Sequence, residues 1–283
     1  MSRGVGVTEA LRTALPEWSV EVFSLLALLG DLVVIVPVLA VLYLASVLSS
    51  LGRPDGADDD EPLCSDQTAV TIAVVMGGLA LVVLLKGTFS MPRPPAELHA
   101  VSASEHGFPS GHTMAATVLW GALAWWATVG DPRTRLAAAD PRTRFAAASP
   151  RTRLAAASPR TRFAAASPRT RVAVVGAIVS VVGFSRLALG VHYLVDVVAS
   201  VLFGGVYLAV ALWLLADRPL GAFGLAIGLA VLATAATGGS DRALLALVGT
   251  VGAVLGWQFV ERPPIRRLLV RGYGRAFDSS SRS

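Results

Sequence analysis

The sequence predicts an all-α protein, a polytopic transmembrane bundle of about six or seven helices. Three observations predict it. Apolar residues make up 54% of the chain and charged residues 15%, and the mean hydropathy is +0.64. Seven apolar stretches approach the roughly 20 residues that one helical crossing of a bilayer needs. Polar residues gather at the ends of these stretches rather than through them.

The first stretch, Val20–Leu48, is overlong and carries Gly30-Asp31 at its middle, so it reads as one tilted helix or a broken one. No partner for Asp31 can be named from the sequence. The remaining stretches are Ala69–Leu85, His112–Val129, Val172–Leu189, Tyr193–Ala216, Leu220–Thr237 and Ala243–Val260. The N-terminus lacks the zones of a cleavable signal peptide, so the first span is expected to stay in the protein. The chain divides into an N-terminal span with an acidic cytoplasmic loop (1–68), a core (69–216), two further spans (217–260) and a basic cytoplasmic tail (261–283).

Residues 131–171 interrupt the core with a nine-residue repeat: DPRTRLAAA, DPRTRFAAA, SPRTRLAAA, SPRTRFAAA, then SPRTR. Each unit offers Asp or Ser as a helix N-cap with Pro at the first helical position. A proline every nine residues excludes one long straight helix. The segment reads as a loop expansion, which costs little at a surface, or as an Arg-rich patch drawn to anionic headgroups.

Several classes of function are disfavoured. One cysteine, Cys64, excludes an internal disulfide and a Cys-based cluster, and four histidines are too few and too scattered for a zinc site. The net charge of +5 and pI near 10.1 would suit a nucleic-acid partner. The basic residues instead flank spans, where topology accounts for them. If the seven spans alternate, 18 of the 23 arginines fall on one side, which the positive-inside rule makes cytoplasmic. The acidic run 58–61 falls on that side too, but acidic residues weigh little in the rule.

Three short constellations then share the other, extracytoplasmic face. They are Lys86-x6-Arg93-Pro94, Pro109-Ser110-Gly111-His112, and Ser185-Arg186-x3-Gly190-x-His192-x3-Asp196. Lys86 is the only lysine in the chain. Singly, Lys86 and Arg93 would read as snorkelling residues at a span end, and each histidine as a packing or loop residue. Together they hold what phosphoryl transfer requires: a nucleophile, a proton donor and preorganised positive charge. Asp196, four residues after His192, can fix that imidazole's tautomer from one face of a helix beginning near residue 191. Ser110 suits the N-cap of the next span, where amide groups and the helix terminus favour an anion. Lys86, Arg93 and Arg186 would meet the phosphate oxygens, the arginines as bidentate forks and the lysine as a compact charge. His99 and His106 read as solvated residues of the outer loop.

This combination resembles the type 2 phosphatidic acid phosphatase (PAP2) superfamily, whose signature is Lys-x6-Arg-Pro, Pro-Ser-Gly-His and Ser-Arg-x5-His-x3-Asp. Every position is matched in order, over roughly Ala69 to Ala216. The resemblance implies His192 as the nucleophile that forms a phosphohistidine, Asp196 as its orienting partner and His112 as the acid toward the leaving group. It implies Lys86, Arg93, Ser110, Gly111 and Arg186 as phosphate ligands, with no metal and no cofactor. Two features depart from the pattern. Family membrane enzymes commonly carry the first motif after a third span, whereas here it follows the second, and the repeat swells the loop between the second and third motifs.

The expected function is hydrolysis of a lipid phosphomonoester or pyrophosphate within the membrane. Phosphatidate-like lipids, polyprenyl pyrophosphates and phosphatidylglycerophosphate-like lipids are equally compatible, and no oligomeric state is implied. A lipid phosphotransferase could use the same residues. Vanadium-dependent haloperoxidases share the pattern but are typically soluble. A non-catalytic lipid-binding or transport protein is the alternative of a different class.

Overall fold

The computed structural model describes residues 5–52, 62–129 and 166–280. Most of the nonapeptide repeat (residues 130–165), the acidic run 58–61 and the arginines that carry most of the charge asymmetry lie outside these residues. Within them the chain is helical: α1 (Val5–Ala14), α2 (Ser19–Ala27), α3 (Leu32–Leu51), α4 (Asp66–Phe89), α5 (Gly111–Val129), α6 (Pro168–Ala188), α7 (Leu194–Leu215), α8 (Pro219–Ala236), α9 (Asp241–Val260) and α10 (Pro263–Ser280).

Six helical segments among the described residues are long and apolar enough to cross a membrane: Ser19–Leu51, α4, α6, α7, α8 and α9. α5 is not among them. It carries His112, Thr113, Thr117 and three tryptophans, and α4, α6 and α7 pack around it. Those polar and tryptophan side chains are what lower its hydropathy, and a helix enclosed by other helices can carry them without facing lipid.

The first stretch is broken rather than simply tilted. A single 3-10 turn, Leu28–Gly30, separates α2 from α3, and Asp31 takes an extended conformation (φ −101°, ψ 155°). Its carboxylate then accepts the Val33 N–H at 3.0 Å and caps α3. α6 begins on the last repeat unit as the sequence predicts. Pro168 occupies its first turn, and the Ser167 hydroxyl accepts the Thr170 N–H at 3.1 Å. The basic tail is helical through Ser280 and touches α9 and α3.

The heart of the bundle is the seam between α4 and α8. Ala222, Ala226, Ala230 and Ala233 of α8 are buried, and a Cβ on Gly77 of α4 would sit 3.3 Å from Ala226. Small residues let the two backbones approach, the usual source of cohesion where lipid is as apolar as the side chains. The Tyr207 hydroxyl of α7 donates to the Val74 carbonyl of α4 at 2.9 Å and ties a third helix to the seam. At one end of the bundle Glu261 accepts the N–H groups of Leu63 (3.1 Å) and Cys64 (2.7 Å) just before α4 begins. The C-terminal ends of α4 and α6 and the N-terminal ends of α5 and α7 meet at the other.

Candidate active site

The loop between α4 and α5 is held by backbone contacts. Pro92 and His106 form an antiparallel bridge, Gly107 N–H donates to the Met91 carbonyl at 2.8 Å and Ala100 N–H to the Leu189 carbonyl at 3.0 Å. The loop is thereby pinned to the turn after α6. Gly190 in that turn has φ +74°, and a Cβ there would run into the Leu98 carbonyl. Only glycine fits both demands.

Arg93 lies in this loop and spends its whole fork on Ser104 and on Val191 and His192 of the third motif. Its Nε donates to the Ser104 carbonyl, Nη2 to Ser104 Oγ at 2.8 Å and Nη1 to the Val191 carbonyl at 2.6 Å. The same Nη1 lies 3.0 Å from His192 Nε2. An arginine can only donate, so Nε2 is the acceptor and the imidazole proton sits on Nδ1. Nδ1 faces Asp196 Oδ2 at 3.4 Å, longer than an ordinary hydrogen bond.

Asp196 also accepts the Tyr193 N–H at 2.9 Å. This corrects the expected helix start. α7 begins at Leu194 rather than near residue 191, so His192 stands outside the helix and Asp196 reaches back from its first turn. The reason is capping: a carboxylate three residues into a helix meets a free N–H at the terminus. The pairing survives the changed geometry.

Lys86 ends α4 and donates to the His106 carbonyl at 2.8 Å. A Cβ on Gly111 would stand 3.4 Å from Lys86 Cε, so the lysine passes directly over the start of α5. Ser110 is fully buried. Its N–H donates to the Asp196 carbonyl at 3.2 Å, its carbonyl accepts from Ser200 Oγ at 2.9 Å, and its hydroxyl pairs with that of Thr113 at 2.9 Å. Arg186 is 7% exposed, and its Nε meets no hydrogen-bond partner among the described residues. A buried guanidinium nitrogen with no acceptor is costly unless an anion arrives.

The electrostatics follow from this crowding. Arg93 is pushed down to about 10, chiefly by burial, with Arg242 adding to the effect and Asp196 opposing it. It remains protonated at neutral pH. Burial first, and then Arg93, Lys86, Arg186 and His112, hold His192 well below the ordinary histidine range. Its imidazole is therefore neutral at pH 7, with a lone pair on Nε2.

All eight residues singled out in the sequence lie at this end of the bundle. Arg93, His192, Asp196 and Ser110 are linked in series by direct contacts, and Lys86 passes over Gly111 at the start of α5. His112 opens α5 beside them, and Arg186 closes α6 within electrostatic reach of Arg93 and His192. Supporting residues carry no motif of their own. Ser104 clamps Arg93, Thr8 of α1 donates to the His192 carbonyl at 3.1 Å, and Asp31 meets His112 Nε2 at 3.1 Å. A carboxylate at the middle of an apolar stretch was the one available signal for Asp31.

A helical membrane bundle with a cationic, histidine-bearing site at one end defines the class. A family model described as the PAP2 superfamily matches residues 68–220, more than half of the chain, and the protein belongs to that superfamily. A comparison with curated proteins finds no match. Among solved structures it is similar to the crystal structure of a transmembrane PAP2-type phosphatidylglycerolphosphate phosphatase from Bacillus subtilis, with 19% identity, a TM-score of 0.48, and 73% of this chain and 81% of that chain covered. α1 to α3, with Asp31, precede the family match, and α9 and α10 follow it.

Proposed function

We propose that the protein is an integral membrane phosphatase that hydrolyses a lipid phosphomonoester or pyrophosphate through a phosphohistidine on His192, without metal. One observation carries this reading. A fully buried, neutral histidine presents Nε2 as an acceptor among Arg93, Lys86 and Arg186, with a carboxylate behind Nδ1.

In the first half-reaction Nε2 attacks phosphorus while the bond to the leaving oxygen breaks. His112 supplies the proton that this oxygen takes. The three cations and the Gly111 amide at the α5 terminus balance charge on the other phosphate oxygens. In the second half, water attacks phosphorus and gives a proton to the now neutral His112, and the P–N bond breaks to release phosphate. Arg93 must turn away from Nε2 for the first step, so phosphate binding and exposure of the nucleophile are one event.

The site faces the extracytoplasmic side, as the arginine distribution predicts, and a headgroup reaches it sideways from the outer leaflet. Phosphatidate-like, polyprenyl pyrophosphate and phosphatidylglycerophosphate-like lipids are the candidate substrates. The test is phosphate release by purified protein from a panel of these lipids in detergent micelles, beside the His192→Ala variant. Release is expected from at least one lipid and is expected to vanish in the variant. Full activity of His192→Ala would overturn the mechanism, and abolition by a chelator would overturn its metal independence.

A further inference from the structure

Asp31 sits near the middle of a largely apolar 33-residue segment whose other carboxylate, Glu21, lies at its start, and an ionised side chain at such a position is expensive unless it has a task. Three contacts seat the break it marks against α5. Asp31 Oδ2 lies 3.1 Å from His112 Nε2, and the Trp120 indole donates to the Leu29 carbonyl at 2.9 Å. The Gly30 backbone comes so close to the His112 carbonyl that a Cβ there could not be accommodated. Capping of α3 uses Oδ1, which accepts from Val33, so Oδ2 is left for the imidazole. The two side chains are 31% and 32% exposed, so the pair borders open space instead of lying sealed in the core.

We propose that Asp31 is the positioning residue for His112. A carboxylate only accepts, so the bond to Asp31 places a proton on Nε2 and turns Nδ1 toward the chemistry. The protonated ring then donates from Nδ1 as the phosphorus–oxygen bond breaks. It becomes neutral while keeping Nε2–H on Asp31, and it regains the Nδ1 proton from the attacking water. Around the ring, Arg186 of α6 and Lys86 of α4 face it as cations and Asp31 as an anion. His112 and His192 thus hold opposite tautomers, each fixed by its own carboxylate. The orienting group for His112 comes from outside the family-matched segment.

The proposal rests on the hydrolase reading above, and its test separates the two. Asp31→Asn and Asp31→Ser both retain a good helix cap. Asn removes the charge, and Ser also removes the reach to His112. An alkyl leaving group needs the proton, whereas p-nitrophenolate leaves without it. With the active wild type as reference, kcat on a lipid alkyl phosphate is expected to fall about 10- to 100-fold in both variants, part of the range that general acid catalysis supplies. KM, and the burst rate of p-nitrophenolate release from p-nitrophenyl phosphate, which reads the phosphorylation step alone, are expected to stay within about threefold. Parallel loss on both substrates, or loss on neither, overturns the proposal. Independently of turnover, nitrogen NMR of the histidine side chains in detergent, at a pH where the imidazole is neutral, is expected to show His112 protonated at Nε2 in the wild type, with that preference lost in Asp31→Ser. Identical tautomers in the two proteins overturn it as well, whereas a wild type inactive on every lipid sinks the hydrolase reading and not this contact.

Discussion

Replacing Asp196 by Asn isolates the electrostatic share of the His192 pair. Asp196 has no exposed surface, and its Oδ2 accepts from Tyr193 N–H at 2.9 Å and faces His192 Nδ1 at 3.4 Å. An asparagine oxygen can keep the first bond, so the start of α7 should hold. It brings no negative charge to the ring when phosphorylation makes it cationic. A hydrogen bond to a charged group contributes about 1.5–3 kcal/mol, and the 3.4 Å separation places this one near the lower end. A loss of about 1.5–2 kcal/mol corresponds to roughly 10- to 30-fold in rate. The measurement is the initial rate of phosphate release from a short-chain lipid phosphate in micelles, with a single-turnover trace to isolate the phosphorylation step. KM should change little, since Asp196 meets none of the proposed phosphate ligands through its carboxylate. Wild-type turnover in a variant with an unchanged thermal midpoint would refute the role given to this contact.

Two further outcomes follow from other contacts. Gly111→Ala should fold normally, because the added Cβ would meet Lys86 and Val82 at 3.4 Å, an ordinary contact distance, and alanine suits a helix. If phosphate sits on the Gly111 amide, the methyl should raise KM at least about tenfold by the cost of a lost charge-assisted bond, and an unchanged KM would remove Gly111 from the binding set. Glu261→Ala strands the N–H groups of Leu63 and Cys64. It should cost about 2–4 kcal/mol, seen as a lower thermal midpoint in detergent with the activity of the folded fraction intact.

The motif residues were legible because their chemistry depends on spacing and order. Lys86 and Arg93 close one helix and lead into a loop, while His112 opens another, and the ends of a bundle bring them together. The fold class was legible from hydropathy. The true start of α7 was not, since Asp196 could serve as readily inside a helix as in its first turn, and only capping chose. Asp31 was visible as an anomaly, but its partner lies 81 residues away, across a helix break that depends on docking against α5. Ser104 and Thr8 left no trace. Ser104 acts through its carbonyl and hydroxyl and Thr8 through its hydroxyl, groups that many other residues of the chain offer.

The modest hydropathy of α5 bears on how the protein is made. A segment bearing a histidine, several hydroxyls and three tryptophans gains little by entering lipid alone. Its stability in the bilayer comes from α4, α6 and α7, and α6 and α7 are synthesised after it. α5 must therefore partition into the membrane alongside α4 as a helical pair, or wait at the translocation machinery until the later helices emerge. The residues that open it for chemistry make it depend on its neighbours for its place in the bundle.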